Sequence, residues 1–240
     1  MKLLLTNDDG ILADGLAVVE RWAQSRGHQV VVVAPKSNYS GQSGAITIDK
    51  PLTVTQRTPG HWAVGGTPAD CVRVALAFLG CHPDVVVSGI NHGYNLGFDT
   101  FASGTVGAAR MAASRRIPAL ALSAAPDNWA HVASLLDLHG DALIEAAQAE
   151  EARAAVSVNF PAESGQRVTW ADLSQSRFED QLEWAEFDGT HHIVGLSCQS
   201  LPLSDAEAGT DARVVAEGFT TLSRLPLQLK TETVRLAKSS

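Results

Sequence analysis

Short apolar segments alternate with longer helix-patterned segments along most of the 240-residue chain, and this alternation restricts the fold more than any other feature. The run VVVV at 30–33 has the continuous β-branched character of a strand buried on both faces. Strands separated by helices form βαβ units in a mostly parallel sheet. The predicted strands are 2–5, 30–33, 85–87, 119–122 and 155–158, and the predicted helices are 16–25, 68–79, 105–114 and 130–149. The sequence therefore predicts an α/β fold with helices on both faces of the sheet.

The segments outside this alternation are shorter and more polar. Residues 46–48, 52–55 and 62–64 resemble short antiparallel strands, and EFDGTHHIVGL predicts a hairpin that turns at Asp188-Gly189. Near the end, TDARVVAEG is helix-prone and FTTLSRLPLQL has the pattern of a strand. We predict a catalytic core at 1–163 and, within the same integrated domain, an extension at 164–240 that packs on the core or reaches a neighbouring subunit.

Charge and composition exclude several classes of function. The formal net charge of −8 argues against a nucleic-acid scaffold, because no basic field is available to gather phosphates along a backbone. No apolar run approaches the ~20 residues that span a bilayer, and acidic residues begin at position 8, too early for a signal peptide. We therefore expect a cytoplasmic protein without membrane contact. Cys71, Cys81 and Cys198 form no CxxC pair and are expected to be small buried apolar residues.

Polar side chains collect where three of the predicted strands end, and ligands of open parallel sheets bind outside the carboxyl ends of the strands. All the side chains offered there are oxygen donors except one imidazole, and such a set suits Mg²⁺, Mn²⁺ or Ca²⁺ better than zinc. The first strand ends in Asn7-Asp8-Asp9-Gly10, the second leads to Ser37, Asn38, Ser40, Gln42 and Ser43, and the third leads to Ser88, Asn91, His92, Asn95 and Asp99.

Each of these motifs also has a purely structural interpretation. TNDDG at 6–10 has the composition of a surface turn, although the adjacent carboxylates repel each other unless a cation or hydrogen-bond donors compensate. SGTVGAA at 103–109 begins a helix, whose amides either bind an anion or are capped by Ser103 or Thr105. In GGTPADCV, capping by Thr67 is the favoured interpretation.

Taken together, the motifs closely resemble the SurE survival-protein family of metal-dependent 5′/3′-nucleotidases. The similarity extends in order over nearly the whole chain, through LLLTNDDGI, VVVVAPKSNYSGQSGAIT, GGTPADCV, DVVVSGINHGYNLGFDTFASGTVGAA, SVNFP and TDARVVAEGF. The resemblance implies a Rossmann-like core, a homodimer or homotetramer with an exchanged C-terminal segment, and release of phosphate from nucleoside monophosphates, with polyphosphate as a further substrate of some members. It also implies that one divalent metal per subunit, Mg²⁺ or Mn²⁺, with Ca²⁺ as a substitute in crystals, is bound by Asp8, Asp9, Ser40 and Asn91.

These ligands suggest a mechanism in which the metal polarises the phosphoryl group and activates a water molecule. Asp8 or Asp9 would orient that water or accept its proton, with Asp9 slightly favoured. The remaining phosphate oxygens would be held by Ser43, Asn95, Ser103 and the amides of Gly104 and Thr105.

Two rival functions belong to other classes. A phosphatase that forms an aspartyl-phosphate requires the pattern D-x-D, whereas the acids here are adjacent and Asn7 occupies the earlier position. A non-catalytic nucleotide sensor would use the same crevice without activating water. A dinucleotide-binding dehydrogenase is disfavoured because no GxGxxG follows the first strand.

Overall fold

The computed structural model of this chain describes residues 1–125, 128–175 and 178–227. The first half contains β1 (Lys2–Thr6), α1 (Asp14–Ser25), β2 (Gln29–Pro35), β3 (Val54–Thr58), β4 (His61–Val64), α2 (Pro68–Ala77), β5 (Val85–His92), a 3₁₀ helix (Gly97–Phe101) and α3 (Gly104–Ser114). The second half contains β6 (Ala119–Ala124), α4 (Trp129–Ala149), β7 (Ala154–Phe160), β8 (Val168–Trp170), β9 (Phe178–Phe187), β10 (His192–Ser200), a 3₁₀ helix (Leu203–Asp205), α5 (Asp211–Ala216) and β11 (Thr220–Pro226).

Most of the described strands join one large sheet in the order β3-β4-β2-β1-β5-β6-β7-β11-β8. From β4 through β2, β1, β5 and β6 to β7, every neighbouring pair is parallel. Among the described strands of this sheet, the antiparallel pairs are β3 with β4 and β11 with β7. The predicted mostly parallel α/β fold is therefore confirmed.

Two hydrophobic cores cover the two faces of this sheet. Because side chains alternate along a strand, Leu3 and Leu5 of β1 enter one core while Leu4 enters the other. The first core also contains Trp22 of α1 and much of α4, and the second contains Val106 of α3 together with α2. The helices thus form the outer layers of a three-layer core. None of the helices in the described part of the chain has the length and apolar character needed to cross a bilayer.

The short strand predicted at 46–48 is wrong. Thr47 lies in a loop, where its N–H donates to Asp70 at 3.0 Å and its carbonyl oxygen accepts from Arg73 at 2.9 Å. These side chains satisfy the backbone groups that a strand would otherwise use, so no ladder forms there. The strands predicted at 52–55 and 62–64 correspond to the antiparallel pair β3 and β4.

The third predicted strand is longer than 85–87, because β5 continues to His92. Asn91 pairs with Ser123 of β6, and His92 pairs with Ala124. Asn91, which the sequence analysis places after the predicted strand 85–87, lies on the sheet close to the end of β5. Its position is therefore fixed by pairing with β6 rather than by a loop.

The predicted C-terminal hairpin is confirmed as β9 and β10, which pair antiparallel outside the large sheet. Asp188 donates its N–H to the carbonyl oxygen of His191, which closes the turn at the predicted place. β8 and β11 join the large sheet, whereas residues 228–240 of the predicted extension, including the end of FTTLSRLPLQL, lie outside the described residues. The boundary between 163 and 164 and the exchange between subunits stay predictions.

Two of the three cysteines have the predicted environment. Cys71 and Cys81 are buried, whereas Cys198 is exposed on β10, so the prediction for Cys198 was wrong. The cause is the ribbon of β9 and β10, in which most residues of both strands are exposed because no third strand or helix of the described part of the chain covers them.

Candidate active site

The turn after β1 presents two adjacent carboxylates. Asn7 closes this turn, because its Nδ2 donates to the carbonyl oxygen of Gly10 at 2.8 Å and its Oδ1 accepts from the N–H of Gly10 at 3.2 Å. Gly10 has a φ of +110°, which residues with a Cβ rarely adopt. Asn7 and Gly10 thus provide the turn chemistry, and Asp8 and Asp9 are left for another role.

Asp8 is almost completely buried, with 2% of its surface exposed, and its carboxylate meets the start of α3. Thr105 donates its hydroxyl to Oδ1 and its N–H to Oδ2, the latter at 3.1 Å. Burial raises the pKa of Asp8 above its usual value; the hydrogen bonds from Thr105 oppose this shift and the charge of Asp9 adds to it. A positive charge close to this carboxylate would favour its ionised form.

Gly104 allows α3 to approach Asp8 this closely. A Cβ at this position would lie 2.9 Å from the Cβ of Asp8 and 3.0 Å from its Oδ2, closer than side chains pack. Any other residue would therefore displace either the carboxylate or the helix. This steric requirement gives Gly104 a structural role beside the phosphate-binding role predicted for its amide.

Asp9 is less buried than Asp8 and faces the end of β5. Its Oδ2 accepts a hydrogen bond from the N–H of His92 at 3.3 Å. Burial raises the pKa of Asp9, and the hydrogen bond and charge of His92 oppose that shift. Two neighbouring carboxylates, both with raised pKa values, thus lie at the carboxyl end of β1.

Ser40 belongs to the polar loop that follows β2. The loop is attached to β1, because the N–H of Tyr39 donates to the carbonyl oxygen of Asp8 at 2.7 Å. It is attached to the segment before α3 as well, since the N–H of Ser43 donates to Ala102 at 2.9 Å and its hydroxyl donates to Phe101 at 2.6 Å. These bonds hold Ser40 beside the acidic turn.

Asn91 contributes an amide from β5. Its Nδ2 donates to the carbonyl oxygen of Gly93 at 2.9 Å, so the amide oxygen is the atom available to a cation. Amide oxygens are suitable ligands for hard divalent cations.

The structure brings a part of the predicted site together in one cleft of about 930 Å³. Asp8, Ser40, Asn91, Asn95 and Ser103 are among the described residues that line it. Asp9, Ser43, Gly104 and Thr105 are not among the described lining residues, although each contacts the lining or is adjacent to it in sequence.

The residues predicted to bind phosphate already have partners. Ser103 caps α3 by accepting from the N–H of Val106 at 3.1 Å, so the capping interpretation is correct for this residue. Both donors of Thr105 are used by Asp8. Asn95 donates its Nδ2 to Ser123 at 2.8 Å. Ser103 and Asn95 nevertheless border the cleft, where an incoming phosphate would meet them.

The donor set fits a hard divalent cation. It consists of two carboxylates, one hydroxyl and one amide oxygen, and both carboxylates have raised pKa values that a cation would lower. No group of three or more His, Cys, Asp or Glu side chains suited to a metal occurs within 1–125, 128–175 and 178–227. The fit therefore depends on Ser40 and Asn91 in addition to the two acids.

Two buried residues that organise the cleft were not predicted. Asn159 of β7 exchanges two hydrogen bonds of 2.9 Å with the backbone of Asn95. Asp211 accepts N–H groups from Gly97 at 2.8 Å and from Ser174 at 2.9 Å. Both lie in segments that carried the family resemblance, SVNFP and TDARVVAEGF, but the partners named here are 64 residues distant for Asn159 and 37 and 114 residues distant for Asp211, so they leave no local signal.

The GGTPADCV segment is a helix cap, as predicted. Thr67 and Asp70 form a reciprocal capping box at the start of α2. Burial alone would raise the pKa of Asp70, but hydrogen bonds from Thr47, Thr67 and Arg73 hold it below its usual value. This carboxylate is a structural anchor for the loop before β3.

Comparisons with known proteins agree with the sequence resemblance. A family model described as "Survival protein SurE" matches residues 3–180. The 5′-nucleotidase SurE of Gemmatimonas aurantiaca is 37% identical over 239 residues, covering 95% of this chain and 94% of the relative. The protein of the same name from Chromobacterium violaceum is 47% identical over 135 residues, covering 56% of this chain and 54% of its own. The crystal structure of the SurE protein from Aquifex aeolicus superposes with a TM-score of 0.82 at 28% identity, over 96% of this chain and 95% of that one.

Proposed function

Since this chain belongs to the Survival protein SurE family, we propose that it is a divalent-metal-dependent phosphomonoesterase that releases phosphate from nucleoside 5′- and 3′-monophosphates. Two relatives that match this chain over most of their own length are named 5′-nucleotidases. Their names support the 5′ activity. The 3′ activity and the metal requirement rest on the resemblance and on the chemistry of the site.

One observation supports the proposal most strongly: Asp8 is a buried carboxylate whose neighbour is a second carboxylate. Ionising both carboxylates at neutral pH is unfavourable, because one is buried and the two repel each other. A bound cation would offset this free energy. Asp8 also shares a cleft with Ser40 and Asn91, which supply uncharged oxygens.

In the proposed mechanism Asp8, Asp9, Ser40 and Asn91 would hold the cation. When bound, a divalent cation polarises a phosphoryl group and lowers the pKa of a water molecule. Asp9 is the more exposed of the two acids, which supports its assignment as the group that orients the attacking water and accepts its proton. Asp8, fixed by two hydrogen bonds from Thr105, keeps its orientation throughout.

The proposed phosphate contacts divide into two groups. Ser103 and Asn95 border the cleft and are proposed to donate to phosphate oxygens, as is the amide of Gly104. Ser43 is proposed to stabilise the loop that carries Ser40, through its bonds to Phe101 and Ala102, in addition to any contact with phosphate. For Thr105 we propose that its main role is to position Asp8.

We also propose that the enzyme is a cytoplasmic homodimer or homotetramer in which the C-terminal extension contacts a neighbouring subunit. Apolar side chains are exposed on both strands of the hairpin, including Leu182, Trp184, Phe187 and Leu196, and such side chains commonly mark an interface. Light scattering on the full chain measures the stoichiometry.

The test is a phosphate-release assay on nucleoside 5′- and 3′-monophosphates, after chelation and with Mg²⁺ or Mn²⁺ added back singly. We expect turnover only with added metal, and we expect Asp9→Asn to abolish it while the circular dichroism spectrum stays that of the wild type. Asp14→Asn is the matched control, because it removes one exposed carboxylate from the same part of the chain.

Four results would contradict the proposal. Turnover in the presence of chelator would show that the reaction needs no metal. Wild-type turnover by Asp9→Asn would show that the metal site is assigned to the wrong residues. A phosphorylated enzyme trapped by rapid acid quench would favour the aspartyl-phosphate mechanism instead. Nucleotide binding without any turnover under all metal conditions would favour the sensor.

A further inference from the structure

Asn95 lies in the short segment 94–96, which links β5 to the first 3₁₀ helix and belongs to neither a helix nor a strand. Its side chain nevertheless borders the cleft together with Asp8 and Ser103. A residue in such a segment takes its position from tertiary contacts, because no ladder of backbone hydrogen bonds holds it. The contacts of Asn95 therefore decide whether its side chain can meet a phosphate.

One buried side chain holds the backbone of Asn95. The N–H of Asn95 donates to Oδ1 of Asn159 at 2.9 Å, and Nδ2 of Asn159 donates to the carbonyl oxygen of Asn95 at 2.9 Å. Asn159 itself is fully buried on β7. A side-chain amide carries a donor and an acceptor, so it can satisfy both backbone groups of one residue as a neighbouring strand would. An aspartate here would lack the donor, and an apolar side chain would make neither bond.

Ser123 of β6 holds the side chain of Asn95, because Nδ2 of Asn95 donates to the hydroxyl of Ser123 at 2.8 Å. In the sheet, Ser123 is paired with Asn159 on one side and with Asn91 on the other. The candidate metal ligand and the two residues that hold Asn95 thus form one row across β5, β6 and β7. Neighbouring strands keep a nearly constant spacing of about 4.8 Å, so this row sets the distance between the metal site and Asn95.

We infer that Asn159 is a positioning residue of the phosphomonoesterase: it holds Asn95 at the distance from the metal site at which the Asn95 side chain binds the phosphate of the substrate. The inference rests on the proposed function and deepens it, because Asn159 is not among the described residues that line the cleft. Without the Asn159 amide, the N–H and the carbonyl oxygen of Asn95 would be buried without partners, which is unfavourable. The segment 94–96 would then move to find other partners, and the phosphate contact would weaken.

The experiment measures three quantities in the full-length wild type, Asn159→Ala and Val158→Ala: the Kd of Mn²⁺, the Kd of inorganic phosphate at saturating Mn²⁺, both by calorimetry, and kcat/KM for AMP. Val158 is the control, because it is equally buried on the same strand but enters the core on the opposite face of the sheet. In Asn159→Ala we expect the phosphate Kd to rise and kcat/KM to fall, each roughly tenfold, as loss of one hydrogen bond to a charged group predicts. The Kd of Mn²⁺ should stay that of the wild type, and Val158→Ala should leave all three quantities unchanged.

The variant Asn95→Ala provides a second measurement. If Asn159 acts through the side chain of Asn95, replacing Asn159 as well should have no further effect on the phosphate Kd, because the side chain that it positions is already absent. A role of Asn159 elsewhere in β7 would instead give two effects that multiply. Asn159→Ser has one hydroxyl for the two backbone groups and should raise the phosphate Kd in the same direction, so it takes the place of Asn159→Ala if that variant does not fold.

The inference is overturned if the folded variant at position 159 binds phosphate as tightly as the wild type, or if its Kd for Mn²⁺ rises together with its Kd for phosphate. It is also overturned if Val158→Ala has the same effect, or if the effects of the replacements at 95 and 159 multiply. Failure of the proposed function is a separate result, namely that the wild type releases no phosphate from AMP with any divalent metal, and the two binding measurements do not depend on turnover.

Discussion

Replacing Thr105 by valine tests how the acidic turn is held for metal binding. The hydroxyl of Thr105 donates to Oδ1 of Asp8, and its N–H donates to Oδ2 at 3.1 Å. Valine removes the first bond and keeps the second. Threonine and valine are both β-branched and of similar volume, so the start of α3 should keep its backbone conformation.

The expected loss can be estimated from the charge of the acceptor. A hydrogen bond to a charged group contributes about 1.5–3 kcal/mol. The hydroxyl of Thr105 lowers the pKa of Asp8, and without it the carboxylate would be harder to ionise and less well oriented. Since about 1.4 kcal/mol corresponds to a factor of ten in an equilibrium constant, the metal concentration for half-maximal activity should rise roughly 10- to 100-fold.

The assay is phosphate release from AMP as a function of Mn²⁺, with Mn²⁺ binding measured independently by calorimetry. Thr105→Ser is the matched control, because it keeps the hydroxyl and should keep most of the metal affinity. If Thr105 instead contacts phosphate directly, Thr105→Val would raise KM for AMP at saturating metal and leave metal binding unchanged. Wild-type values of both quantities would refute the reasoning altogether.

Two further predictions concern stability. Burial raises the pKa of Asp8 and Asp9 above 3.8, so the metal-free folded state retains protons that the unfolded chain has released, and these groups should lower the free energy of unfolding as the pH rises through their folded pKa values. Urea unfolding in EDTA over a pH series from about pH 4 to about pH 8 checks this: the fall should be smaller in Asp9→Asn than in the wild type, and Mn²⁺ at about 100 times its Kd should add about 2.7 kcal/mol at the highest pH. Asp70→Ala should lower the free energy of unfolding by about 3 kcal/mol, because Arg73 loses its ion-pair partner and Thr47 loses its acceptor. This value is the lower end for a broken buried ion pair, since Arg73 is partly exposed. The stabilisation from Asp70 should itself be lost as the pH falls through its folded pKa, which lies below 3.8, and a loss under about 1 kcal/mol on substitution would contradict the prediction.

The sequence by itself determined the fold class and the location of the acidic turn. Both depend on local patterns: the alternation of apolar strands with helices fixes a mostly parallel sheet, and Asn7 and Gly10 close a turn within four residues. Such features are encoded in neighbouring residues, so they can be recognised without knowing what else packs nearby. The prediction at 46–48 failed where this condition did not hold, since the partners of Thr47 lie 23 and 26 residues away.

The tertiary structure alone decided what surrounds the two acids. Thr105 reaches Asp8 across 97 residues of sequence, Asn159 binds Asn95 across 64, and Asp180 reaches the cleft from a hairpin that the sequence predicted only as a ribbon. The burial that raises the pKa values of the two acids and the partners of the predicted phosphate ligands arise from such distant contacts. The sequence could name the residues at the strand ends, but burial and charge depend on which segments the folded chain brings together.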